Sequence, residues 1–436
     1  MKFYDRKEEL SLLEDILVRS KKQSQFTLLS GRRRVGKTSL LLKAFENKPH
    51  LYLFVSRKSE VLLCAEFQRA AEESLGVQIL GQADNFKDLF EQLLIYSRQQ
   101  HFTLIIDEFQ DFERINKSIF SDIQDVWDRH KDKAQLNFVV SGSVYSLLVR
   151  IFENEKEPLF GRLDAKMVLR PFTTGTIKEV LGDYSPKYQP EDLLCLYMLS
   201  GGVPKYLNLL MSAGAYDKAS MLAYTCGTGS PFLSEGKELL VSEFGKDYST
   251  YFSILQLIAS GKTSQQEIDS VLGKVSSAYL HNLNEEYSLV SKNRPLFSKL
   301  GSRNVRWQIS DCYLRFWFNF VYAHQFVVES GRNDLLLELV EEGYTNFSGR
   351  TLEDYFRAKF SEEGRFTKVG SYWDRSGENE IDLVAISDLE KNALIAEIKR
   401  DKSRISLRRL QKKSLTLKNE LSKYDLKYQA LSLEDM

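Results

Sequence analysis

The feature that most constrains this chain is a glycine-bent corner between a strand and a helix. Phe26 to Ser30 is an apolar, β-forming run, Gly31-Arg32-Arg33-Arg34-Val35-Gly36-Lys37-Thr38 follows it, and Ser39 to Phe45 reads as a helix. Glycine at 31 and 36 lets the backbone turn tightly and leaves room for a bulky anion. The backbone N–H groups from Gly31 through Arg32, Arg33, Arg34, Val35 and Gly36 to Ser39 then face a phosphate, at the positive end of the helix. In that geometry Lys37 reaches the β- and γ-phosphates and the Thr38 hydroxyl ligates Mg²⁺. A chance GxxxxGKT seldom has a strand before it and a helix after it, so ATP and Mg²⁺ are the expected ligands.

A second segment complements the corner. Thr103 to Ile106 is an apolar strand that ends in Asp107-Glu108. A carboxylate at the C-terminal end of a parallel strand sits at the mouth of the sheet, beside the phosphate loop. Asp107 is placed to hold Mg²⁺, and Glu108 to orient and deprotonate the attacking water. Another strand, Leu136 to Val140, ends in Ser141-Gly142-Ser143, where either Ser141 or Ser143 can sense the γ-phosphate. Arg162, in Leu159-Phe160-Gly161-Arg162, is a candidate to reach a phosphate in its own subunit or in a neighbour's, against the alternative of a surface arginine on a solvated turn.

Around these motifs, short β-forming runs alternate with amphipathic stretches over the first 170 residues, which argues for a mostly parallel sheet covered by helices. At 436 residues the chain has room for about three domains. Lys plus Arg and Asp plus Glu both number 60, so overall charge makes no case for a nucleic-acid partner and any basic face must be local. The four cysteines, Cys64, Cys195, Cys226 and Cys312, match no zinc spacing and read as buried reduced thiols. The N-terminus is charged, and no run approaches the ~18 apolar residues of a membrane span, so a cytoplasmic location is expected.

The entry FYDRKEELSLLEDIL, the loop GRRRVGKT, the Asp107-Glu108 pair, the strand FVVSGS, the LFGR turn and Gly201-Gly202-Val203-Pro204-Lys205-Tyr206 together resemble the archaeal-type ATPase family, in the STAND-like wing of the AAA+ ATPases. The resemblance spans roughly residues 1 to 240. It implies that Tyr4 and Arg6 lie near the adenine end of the nucleotide and that Pro204 packs on the nucleotide from a helical lid. Lys205 is a weaker candidate for a second sensor. Without the resemblance, Gly-Gly-Val-Pro reads simply as a helix stop and restart.

Farther along, three helical patterns (Tyr251 to Ser260, Ser264 to Leu272, Val275 to Leu283) precede strands at Tyr287 to Val290 and Val305 to Ile309, which spells a winged helix. Its loop, Ser291 to Arg306, holds Lys292, Arg294, Lys299, Arg303 and Arg306 with no acid, a local charge of +5. That suits double-stranded DNA, with Ser276, Ser277 and Tyr279 facing the groove; the alternative is a winged helix that only packs between domains. The aromatic run Asp311 to Tyr322 reads as core.

The last segment restarts with a helix carrying Glu353, then strands carrying Asp382 and Glu397-Ile398-Lys399. Glu397 and Lys399 are two apart in a strand and share a face. The short turn Ser387 to Asn392 brings Asp382 beside Glu397. Three carboxylates, Glu353, Asp382 and Glu397, suit Mg²⁺ as oxygen ligands, with Lys399 to position water or stabilise charge. This order resembles the PD-(D/E)xK nuclease superfamily, with Ile381 in the place usually held by proline. The alternative is a nuclease-like fold kept for binding. From Lys399 to Lys418, nine basic residues face one acid, Asp401.

The expectation is therefore a multidomain α/β chain. A P-loop parallel sheet occupies 1–172, a helical lid 173–245, a winged helix 246–340 and an α/β restriction-endonuclease-like domain 341–436. It would act as an ATPase coupled to DNA binding and metal-dependent cleavage. The rival is a STAND-type nucleotide-gated switch whose nuclease-like end binds a partner protein, and a homo-oligomer fits either reading.

Overall fold

A computed structural model describes residues 1–79, 81–143, 145–244, 248–299, 301–302, 304–374 and 377–436. They divide into two compact units, one made of Asp5–Arg170 and the other of Met1–Tyr4 with Pro171–Met436.

The first unit is a five-stranded parallel sheet. Its strands are β1 (Gln25–Ser30), β2 (His50–Phe54), β3 (Phe102–Asp107), β4 (Leu136–Gly142) and β5 (Ala165–Val168), in the order β2-β3-β4-β1-β5. β1, β3 and β4 are buried along their whole length. That is why QFTLLS, FTLIID and LNFVVSG read as near-continuous apolar runs rather than alternating ones. Two cores cover the two faces. One gathers Phe26, Phe90, Trp127 and Phe138; the other gathers Leu13, Leu29, Leu41 and Phe45. β4 lies between β1 and β3, so the C-terminal ends of all three open on one edge of the sheet. The expected parallel sheet is thus present, with the glycine-bent corner at the end of β1, beside the central strand β4.

The second unit begins with helices Thr174–Tyr184, Pro190–Ser200, Pro204–Ser212, Lys218–Cys226 and Pro231–Phe244. Helices Tyr248–Ala259, Gln265–Leu272 and Ser277–His281 follow, then an antiparallel hairpin of β6 (Val290–Asn293) and β7 (Arg306–Ile309). The aromatic run is buried, as a helix Cys312–Phe316 that continues into a π-turn over Trp317–Tyr322. A helix of 30 residues, Asn333–Glu362, leads to a four-stranded sheet ordered β11-β10-β9-β8. Its strands are β8 (Lys368–Trp373), β9 (Glu380–Ser387), β10 (Asn392–Ile398) and β11 (Asp425–Leu431).

The expected break at 172 falls beside the crossing between units at Arg170–Pro171. The breaks expected at 245 and 340 do not separate compact units. One continuous core links Leu196, Leu255, Phe316, Tyr355 and Leu383, and residue 340 lies inside the long helix. Amphipathic helices of that sort bury their apolar faces against whatever neighbour the chain supplies, and sequence periodicity does not name the neighbour. Among the described residues no helix is long and apolar enough to cross a membrane.

Candidate functional site

The phosphate loop closes on itself through its own backbone. Gly31 has φ +151°, and a Cβ there would stand 2.6 Å from the Leu169 carbonyl oxygen, so only glycine fits. The Lys37 ammonium donates to the carbonyls of Gly31 (2.9 Å) and Arg32 (3.1 Å), which holds it over the loop. Arg6 donates to Val35 O at 3.4 Å and to Arg170 O at 2.7 Å. Arg6 therefore braces the loop backbone from below, a role that sequence reading did not assign to it. Tyr4 belongs to the other unit, where its hydroxyl donates to Asp183 at 2.8 Å. Pro204 is also in that unit, at the first turn of its helix, with Lys205 held 3.5 Å from the buried Glu235.

At the mouth of the sheet, Asp107 is 4% exposed and fully hydrogen-bonded. Its Oδ2 accepts from Thr38 Oγ1 at 2.7 Å and from the Tyr52 hydroxyl at 2.8 Å, while Oδ1 accepts from Ser141 at 2.5 Å and from Glu108 N at 3.0 Å. Burial first, then Asp107, push the Tyr52 phenol well above its ordinary range, so it stays a proton donor. The Thr38 hydroxyl and the Asp107 carboxylate lie side by side at the head of the loop, a donor pair that suits the oxygen-seeking Mg²⁺ of a nucleotide.

Glu108, at φ +54°, turns away from the strand and accepts from Ser143 at 2.9 and 3.1 Å and from Gln110 at 2.5 Å. Arg33 donates to the same Ser143 at 3.3 Å. The two serines thus divide: Ser141 serves Asp107 and Ser143 serves Glu108. Tyr52 and Gln110 were missed in the sequence, because only the pairing of β2 with β3 and a turn after β3 bring them here.

Arg162 is placed elsewhere. Asp164 joins the first residues of β1 through Phe26, and Ala165 pairs with Thr27, so Arg162 sits by the end of the sheet opposite the loop. At ~3.3 Å per residue that is roughly 15 Å from the phosphate site. It is ion-paired with Asp128 at 3.1 Å. In its own chain it does not reach a phosphate, because β5 runs parallel to β1 and enters from the far edge.

In the second unit, the strand register sets Asp382 opposite Glu397, one step beyond the Leu383–Ala396 pair. Asp382 Oδ2 accepts from Ile398 N and from Lys399 Nζ, each at 2.9 Å. Glu397 Oε1 faces Lys413 at 3.5 Å, and its Oε2 is buried with no partner. Glu353 lies on the long helix beside Arg357, whose guanidinium also donates to the Asp382 carbonyl at 2.9 Å. Burial, then Asp382, push the Glu353 carboxyl up to about 7 against the pull of Arg357. Burial works against the Lys399 ammonium, but Asp382 and Glu353 hold it above its ordinary value.

Among the described residues, no three acids, histidines or cysteines gather into a metal site by themselves. Each of the expected ligands has a cation beside it: Lys399 bonds Asp382, Lys413 faces Glu397 and Arg357 flanks Glu353. The orphaned Glu397 oxygen and the all-oxygen donors nonetheless fit a hard cation.

Glu353, Asp382, Lys399 and Lys413 line a cleft of about 1400 Å³ whose other wall is the β6–β7 hairpin. The hairpin loop is docked rather than free. Leu296 N donates to Ser371 O at 2.9 Å, Trp373 to Asn304 at 2.9 Å, and Arg306 to Glu380 at 2.6 Å. Arg303 lies outside the described residues. Ser276 is buried and bonded to Asp269, so it faces no groove; Ser277 is exposed and Tyr279 half-buried.

Residues 3–210 match a family described as an ATPase domain predominantly from Archaea, and residues 317–413 one described as archaeal and bacterial proteins of unknown function. An uncharacterized protein of Methanocaldococcus jannaschii is 27% identical over 407 residues, covering 91% of this chain and 87% of that one. The Walker-type ATPase of Pyrococcus abyssi is similar in fold, with a TM-score of 0.57 and 19% identity over 72% of this chain and 96% of the other. A phosphate loop at the end of a buried parallel strand, the acid pair beside it and the matched ATPase domain over residues 3–210 make this chain an ATPase.

Proposed function

We propose that this ATPase couples its nucleotide state to nucleic-acid handling, and that the cleft of the second unit binds a phosphate backbone and cleaves it. In the first unit Lys37 and the loop N–H groups hold the phosphates, Thr38 and Asp107 hold Mg²⁺, and Glu108, oriented by Ser143 and Gln110, takes the proton of the attacking water. By resemblance, Tyr4 and Arg6 are assigned to the adenine end and Pro204 to packing on the nucleotide. Arg162 is assigned to a neighbouring copy in a homo-oligomer. The protein is placed in the cytoplasm.

The observation that supports the second half is convergence: Glu353, Asp382 and Lys399, chosen from sequence order alone, line one cation-bordered cleft beside Glu397. Bound Mg²⁺ would polarise a phosphodiester and activate water there. Lys399 would hold the water or the developing charge, and Lys413 would be released from Glu397. ATP turnover and Mg²⁺-dependent nucleic-acid cleavage should be measured on one preparation. Turnover is expected to vanish in Lys37→Ala, which should also alter cleavage, and cleavage is expected to vanish in Asp382→Ala with ATP turnover left in place. Cleavage that survives Asp382→Ala would remove the nuclease assignment.

The docked hairpin favours a second reading, in which the three helices and hairpin serve only as packing and the nuclease-like end binds a partner protein in a nucleotide-gated switch. Absence of nucleic-acid binding at low salt, with ATP turnover intact, selects it.

A further inference from the structure

Resting on the nucleic-acid reading above, we infer that the cleft takes a single strand rather than a duplex. Three observations carry this. First, the hairpin loop, the part of a winged helix free to lie along a duplex backbone, is committed to the edge strand β8 through Leu296–Ser371 and Asn304–Trp373, and to the start of β9 through Arg306–Glu380. Second, the helix at the groove-reading position, Ser277–His281 with a π-helical continuation over Asn282–Glu286, starts at Ser276, whose side chain is tied to Asp269 rather than presented outward. A major groove is entered by a free helix or ribbon, and the docked hairpin offers no free ribbon.

Third, Lys399 and Asp382 line a cleft of about 1400 Å³ together with residues of the β6–β7 hairpin, the long helix and the sheet. Exposed cations border it: Lys292 and Arg294 on the hairpin side and Arg350 on the long helix. Half-buried Phe347 adds an aromatic face to the wall. A walled, cation-lined groove with an aromatic face tracks one backbone and lets unpaired bases lie against its wall. The exposed basic helix Leu407–Ser414 carries Arg408, Arg409 and Lys412. It is the competing surface, because an open cationic face binds duplex and single strand by charge alone.

The test uses the full chain with EDTA and low salt. Fluorescence anisotropy compares a labelled oligothymidine of about 20 nucleotides with a duplex of the same length. The oligothymidine is expected to bind at least ~10-fold more tightly. The double variant Arg294→Ala/Arg350→Ala, with its thermal melt unchanged, is expected to lose about tenfold in that affinity and to shrink the salt slope by about 0.7 per lost contact. Arg408→Ala/Lys412→Ala is expected to change it little. Equal or tighter duplex binding overturns the inference while leaving the nucleic-acid reading standing, and so does loss of binding in the 408/412 variant alone. Failure of both probes to bind overturns the reading and the inference together.

Discussion

Gly31 and Glu353 show what single residues decide here. A methyl group at Gly31 meets the Leu169 carbonyl in a backbone conformation that side chains resist, so Gly31→Ala should destabilise by about 2–4 kcal/mol and impair nucleotide binding. A denaturation midpoint and calorimetry with Mg-ATP check both effects. Glu108→Gln keeps the loop and its magnesium acids, so it should retain ATP but slow turnover by on the order of 10²-fold. Single-turnover hydrolysis separates the two steps. Glu353 titrates near 7 in the fold against an ordinary 4.5. The fold thus favours the protonated carboxyl, and the stability it contributes is complete below the lower value and lost as pH rises through the higher one. Melting temperature should fall across that window, and Glu353→Gln should flatten the fall.

Among elements, Asp354 is a junction. It accepts from Arg357 at 2.6 Å on its own helix, from Arg315 in the aromatic segment, and from Gln308 of β7 at 2.8 Å. Although burial opposes it, the two guanidinium groups hold its carboxyl below the ordinary range. Asp354→Ala would remove the carboxylate that the buried Arg315 and Arg357 share and should cost about 3–5 kcal/mol, read by chemical denaturation. A cost under about 1 kcal/mol would mean the hairpin, aromatic segment and long helix are not joined there. The Arg306–Glu380 pair is more exposed, and its loss should cost no more than about 1 kcal/mol. Sequence gave no sign of Asp354's place, since its three partners are 3, 39 and 46 residues away.

At the scale of the whole molecule, each unit has its own core, so calorimetry should resolve two transitions. Mg-ATP at ~100 times its dissociation constant should raise the stability of the Asp5–Arg170 unit by about 2.7 kcal/mol. A single transition would mean the units unfold as one. The sequence by itself determined the phosphate site's chemistry: Gly31, Lys37, Thr38 and the strand-ending acids are local patterns, each fixed by a turn, a helix start or a strand end a few residues long. It also set Asp382 beside Glu397, because a strand pair joined by a short turn carries its register within itself. The tertiary structure alone decided that Tyr52 and Gln110 attend the acids, that Arg162 lies at the wrong end of the sheet for its own loop, and that the hairpin is docked with its cleft walled. Each of these depends on contacts between segments far apart in the chain, and the energy of such contacts is set by surfaces that meet only after folding.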